Sequence, residues 1–286
     1  MNRKIKIICL LAAALICACS KQSGSEKPLL MVTVEPQRFF AEQLAAPFFR
    51  VETMVPPGAS PETYDPAPEK MAALTKANAY FAVGRLGFEQ VWLNKMKQNC
   101  PKVKFFTTDE GVNLIFSEHS HGSGFHDGAD PHVWSSPIQA LTMVENMSRF
   151  LISVDEKNAE TYRENAQKLT GKIKNLDAEI REILGRSNQK AFIIYHPALT
   201  YFARDYGLEQ YCIESEGKEP SPAQIKSLIE TAREKQIKTV FIQQEFDRKN
   251  AEAIARSAAC KLVVINPLSY DWEAELLKIA KALSDE

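Results

Sequence analysis

The feature that most constrains this chain is an alternation of short apolar, β-branched runs with longer helical patterns. Residues 29–34, 51–55, 79–83 and 103–106 have the length and composition of buried strands. Residues 39–49, 68–76 and 88–98 lie between them with helical spacing. The second half repeats the rhythm, with strands expected at 191–195, 209–213, 239–243 and 262–265. There a Ser221-Pro222 pair opens a helix, serine at the N-cap and proline in the first turn. Such alternation implies βαβ units and mostly parallel sheets, one in each half. No residue-level internal repeat accompanies the shared rhythm.

The middle is different. Ser136-Pro137 opens a helix expected to end near residue 152, and Val154-Asp155 interrupts the pattern. From 156 to about 184 there is no proline and one glycine, Gly171, while Leu169, Ile173, Leu176, Ile180, Ile183 and Leu184 recur at helical spacing. About 29 residues at 1.5 Å each would span roughly 43 Å. Sustained a/d heptads are absent, so a coiled coil is excluded. The fold class expected is α/β: two lobes, each a mostly parallel β-sheet flanked by helices, joined by a long rigid α-helix. The lobes are placed at 28–152 and 186–286, with the linking helix at 153–185. A strut of this kind predicts small lobe motions, unlike a glycine-rich hinge.

The first residues address the compartment. Arg3, Lys4 and Lys6 precede a short apolar stretch from Ile7 to Ala18, and Cys19 follows. A membrane span needs roughly 20 apolar residues, so this is the core of an export signal. Ile16-Cys17-Ala18-Cys19 reads as a lipobox, with a small residue before the cysteine to be cleaved and acylated. Residues 1–18 are therefore expected to be a lipoprotein signal peptide, Cys19 the lipidation site, and 19–27 a polar tether. Removing the signal leaves 268 residues and, with its three basic side chains gone, a formal charge of -4 instead of -1. No basic excess points to nucleic acid. Cys100, Cys212 and Cys260 remain, an odd number that leaves at least one thiol unpaired; one disulfide is open to an exported protein.

The chemistry-bearing residues are few. Of five histidines, His119, His121, His126 and His132 fall close together and His196 stands apart. The stretch 118–130 is rich in glycine and aspartate and has no periodicity, so His119, His121 and His126 are expected on a metal-gathering loop. His132 sits in Asp130-Pro131-His132-Val133-Trp134, ahead of the helix at Pro137, and His196 directly follows a strand. Ligands of parallel α/β domains bind beyond the carboxyl ends of strands, which favours a cleft site shared by His132 and His196.

Several segments together resemble the zinc/manganese substrate-binding proteins of ABC transporters (the metal-binding cluster A-I family). These are Val55-Pro56-Pro57-Gly58-Ala59-Ser60-Pro61-Glu62-Thr63-Tyr64-Asp65-Pro66, Asp130-Pro131-His132-Val133-Trp134, Tyr195-His196-Pro197-Ala198 with the run from Tyr201 to Leu208, and Ser221-Pro222. The likeness runs through nearly the whole mature chain. It implies two lobes joined by a long helix, a metal in the cleft, an ABC permease as partner, and a monomer anchored to a membrane by lipid. The location implied is outside the cytoplasm, periplasmic or on the outer face of the envelope.

The chain departs from the family pattern twice: Glu62 stands where histidine is usual, and Asn266 where an Asp-Pro-Leu segment usually supplies aspartate. Three histidines with one carboxylate, and Glu62, His132 and His196 with Asn266, carry the same formal charge, so the carboxylate is expected to have moved across the cleft. Zinc takes four nitrogen, sulfur or oxygen ligands. Glu62, His132 and His196 supply three, and Glu245, Asn266 and Asp271 are candidates for the fourth. Two imidazoles with a carboxylate favour Zn2+, with Mn2+ as the alternative. Besides transport, the residues leave open a metal-binding adhesin or store, and a zinc hydrolase. For an enzyme no HExxH, GxSxG or P-loop is present, so the chain is read as a non-enzyme.

Overall fold

The computed structural model describes residues 27–116, 128–214 and 217–284. The N-terminal sheet holds β1 (Leu29–Val32), β2 (Arg50–Thr53), β3 (Ala79–Ala82) and β4 (Lys104–Thr107), all parallel, in the order β2-β1-β3-β4. The C-terminal sheet holds β5 (Ala191–Ile194), β6 (Glu209–Cys212), β7 (Thr239–Gln243) and β8 (Lys261–Ile265), again parallel, in the order β6-β5-β7-β8. The central strands β1, β3, β5 and β7 are buried throughout, which is why they read as continuous apolar runs instead of alternating ones. Both sheets reverse direction of winding between their two central strands. The loops leaving β3, β5 and β7 therefore open at the switch points, where ligands of such sheets bind.

Among the described residues the α-helices are α1 (Glu35–Ala45), α2 (Pro68–Leu74), α3 (Gly87–Asn99), α4 (Pro137–Val154), α5 (Ala159–Gly185), α6 (Thr200–Asp205), α7 (Pro222–Glu234), α8 (Lys249–Ala258) and α9 (Trp272–Ala282). None is long and apolar enough to cross a membrane. The helix expected at 39–49 starts four residues earlier. Pro36 fixes its first turn, Gln37 reaches back to accept from the Thr33 amide at 3.0 Å, and it ends at Ala45, ahead of Pro47. The long central helix starts later than expected, because 156–158 form a 3-10 turn. Its 27 residues put Leu169, Ile173, Leu176, Ile180 and Leu184 on one buried face.

That face closes a core shared by both halves. One apolar cluster joins Leu30, Val32, Phe81 and Met147 to Ile173, Phe192, Phe241 and Ile279 without a break. Each sheet keeps a smaller cluster on its other face. Polar contacts stitch the lobes as well. Trp134 Nε1 donates to Pro267 O at 2.8 Å, and Trp272 Nε1 donates to Trp134 O at 2.7 Å. Arg204 in α6 donates to Asn113 O, and Asp205 accepts from Ser136 and Gln139 of the other lobe. Cys100, Cys212 and Cys260 are free thiols, so the disulfide open to them is not formed.

Candidate metal centre

Each imidazole is aimed by a carboxylate. Asp130 Oδ1 accepts from the His132 backbone N at 2.8 Å and meets His132 Nδ1 at 3.0 Å, fixing the turn and the ring with one oxygen. Tyr201 Oη donates to Asp130 O at 2.7 Å and holds that turn from the other lobe. His196 leaves β5, and its Nδ1 meets Glu214 Oε1 at 2.6 Å just past β6. Gln243, at the end of β7, grips the His196 backbone on both sides: Nε2 donates to His196 O at 2.7 Å and Oε1 accepts from His196 N at 3.3 Å. Phe246 stacks on the His196 ring at 5.6 Å between centroids.

Carboxylates only accept, so both Nδ1 atoms carry hydrogen, and each ring when neutral presents its Nε2 lone pair. Those two Nε2 atoms face each other at 3.3 Å. Two lone pairs at that distance repel unless a proton or a metal ion lies between them. Glu62 completes the group. Its Oε2 accepts from Gly87 N at 3.1 Å, while its Oε1 is buried, has no hydrogen-bond partner and lies 3.9 Å from His132 Nε2. One ligand atom from each of Glu62, His132 and His196 falls within 4.8 Å of the others. Burial works against a charged His132, but Asp130, Glu62 and Glu214 outweigh it and raise its pKa. Burial likewise pushes against the Asp130 carboxylate, and His132 and its hydrogen bonds pull its pKa down regardless.

The space between the ligand atoms is a cavity of about 20 Å³, lined by Glu62, His132, His196, Gln243, Glu245 and Leu268 among others. That holds an ion or a single water. Glu245 therefore reaches the cavity wall, although outside the close group, and burial raises its carboxyl pKa against the pull of His196 and His132. Asn266 is occupied elsewhere: its Oδ1 accepts from Leu268 N at 3.2 Å and its N donates to Glu275. Asp271 is exposed at the start of α9, away from the cavity lining. His119, His121 and His126 lie outside the described residues, as does Cys19.

Sequence reasoning did not assign Asp130, Glu214, Gln243 or Gly87. Asp130 had a signal, two residues before a histidine at a turn. Glu214 had only its place beyond a strand's carboxyl end.

Fold and site together define a class, the two-lobed α/β protein with a cation-sized cavity between its lobes. The chain belongs to the family described as zinc-uptake complex component A, periplasmic, whose model matches residues 30–282. It is 29% identical over 280 residues to the zinc-binding lipoprotein AdcA of Streptococcus pneumoniae, covering 94% of this chain and 56% of the relative, so it spans about half of that protein's length. It is 28% identical over 260 residues to the high-affinity zinc uptake system protein ZnuA of Bacillus subtilis, covering 87% and 81%. A crystal structure of a ZnuA superposes with a TM-score of 0.85 at 34% identity, covering 91% of this chain and all of that one.

Proposed function

We propose that this protein captures zinc between its lobes, outside the cytoplasm, and delivers it to an ABC permease. One observation carries the reading: two imidazole Nε2 atoms 3.3 Å apart beside an unpartnered, buried carboxylate oxygen. Ligands at roughly 2.0–2.1 Å in a tetrahedron sit about 3.3–3.4 Å from one another, so the histidine pair already has the spacing of a zinc edge. The 3.9 Å from Glu62 Oε1 to His132 Nε2 closes with a small side-chain movement. Glu62, His132 and His196 are the proposed ligands, with Glu245 or water in the fourth place. Manganese falls below zinc in general affinity for such donors, and its use would be a matter of supply.

The cavity of about 20 Å³ is the size of an ion or a single water, which supports capture of an ion. Acylation at Cys19 would hold the protein at the membrane face, with residues 19–27 as tether. The test is metal content and competitive zinc affinity of residues 20–286, beside His196→Ala and Glu62→Ala. One tight zinc per chain, lost in both variants, is expected. Tight zinc that survives both changes would move the site elsewhere, and no tight metal would end the transport reading.

A further inference from the structure

α3 begins without a side-chain cap: its N-cap residue is Leu86, which offers no acceptor. The opening N–H groups of a helix nonetheless need partners. Glu89, in the first turn, serves the loop ahead of the helix, accepting from Val83 N at 2.7 Å and Gly84 N at 2.6 Å. The helix's own first donors point across space. Gly87 N donates to Glu62 Oε2 at 3.1 Å, and Phe88 N donates to Pro61 O at 2.9 Å. Residues 61–62 therefore cap α3. The approach is tight: a Cβ at position 87 would lie 2.3 Å from Glu62 O and 2.9 Å from Glu62 Oε2. Glycine is needed there for closeness of two chain segments.

Resting on the metal-capture reading, we infer that Gly87 is a positioning residue that selects a carboxylate at position 62 and aims its Oε1 at the metal. The selection is a matter of donors and acceptors. The Gly87 N–H can only donate. A neutral imidazole bound to metal through one nitrogen carries hydrogen on the other, so histidine at 62 would set N–H against N–H. A carboxylate accepts at both oxygens, serving the helix with one and the cation with the other. Its negative charge also suits the positive end of a 13-residue helix. Glutamate at 62 meets this constraint.

The test compares wild-type residues 20–286 with Glu62→His and Gly87→Ala, by zinc competition against a chromophoric chelator, apo melting, and visible spectra of bound cobalt(II). Glu62→His adds a nitrogen donor that zinc accepts readily, yet it is expected to bind zinc at least about tenfold more weakly. Gly87→Ala is expected to weaken zinc about 10–100-fold and to shift the cobalt(II) bands, because Glu62 moves. Lowered apo stability with unchanged affinity and spectrum would make Gly87 merely structural and overturn the inference. So would zinc binding by Glu62→His as tight as wild type, whether or not Gly87→Ala folds. A wild-type chain without tight zinc would instead overturn the capture reading on which the inference rests.

Discussion

In the proposed zinc site, His132 is the residue at which proton and metal would compete. Its Nδ1 is held by Asp130 and its Nε2 faces Glu62 and His196. Burial opposes a charge on the ring, but Asp130, Glu62 and Glu214 win, so the pKa is raised above the ordinary 6.5. For the apo fold, the stability from this raised value is fully present below about 6.5 and is lost as pH rises through the folded value. For metal the sign is opposite, since only the neutral ring ligates. Zinc affinity should be full above the raised pKa and fall as pH drops through it. Asp130→Asn keeps an acceptor at Nδ1 but removes the charge. It should shift the acid loss of affinity to lower pH, as read by zinc titrations across about pH 5–8. An unchanged midpoint would show that Asp130 does not set the proton competition. The two cleft histidines were legible because histidine is rare in this chain, with five in all, whereas Glu214 is one of 36 acidic residues. Nothing in the sequence marks which carboxylate meets an imidazole, because that pairing is made by the ends of β5 and β6 lying side by side.

At the scale of elements, two Ser-Pro signals look alike in sequence and differ in the fold. Ser221 caps α7 at the surface: its Oγ accepts from Gln224 N at 3.3 Å, and Gln224 Oε1 accepts in return from Ser221 N at 2.7 Å. Ser136 caps α4 by accepting from Ile138 N at 3.2 Å, but it is buried and also donates to Asp205 Oδ2 at 2.6 Å in the other lobe. Losing a cap costs about 1 kcal/mol, and losing a hydrogen bond to a charged group adds about 1.5–3 kcal/mol. Ser221→Ala should therefore cost about 1 kcal/mol in urea unfolding and Ser136→Ala about 2–4 kcal/mol. Equal costs would mean that the Ser136–Asp205 bond adds nothing across the lobes. The same limit governs what could be read elsewhere. The strands and the long helix were visible as runs and periodicities. The displaced ends of α1 and α5 were not, because Gln37 reaching back to the Thr33 amide and the 3-10 turn at 156–158 are local choices that no periodicity records.

For the whole molecule, the question is whether the lobes are separate folding units. Two sheets in a chain of this length would ordinarily suggest domains that unfold apart. The packing argues otherwise. The buried face of α5 lies in a single cluster with residues of both sheets, and the paired indole bonds of Trp134 and Trp272 tie the lobes directly, two residues from His132. Opening the cleft widely would expose that shared core, so metal exchange should proceed by small displacements of the ligand loops. Apo protein is expected to unfold in one calorimetric transition. Zinc at about 100 times its Kd should raise it as a unit, adding about 2.7 kcal/mol. Ile173→Ala removes a fully buried side chain from the middle of α5 and should lower the same transition by about 2–5 kcal/mol without splitting it. Two resolved transitions, with zinc moving only one, would mean that the lobes fold independently and that the cleft forms by docking afterwards. A single transition would mean that both sheets, and the cleft between them, form as one cooperative unit before any metal arrives.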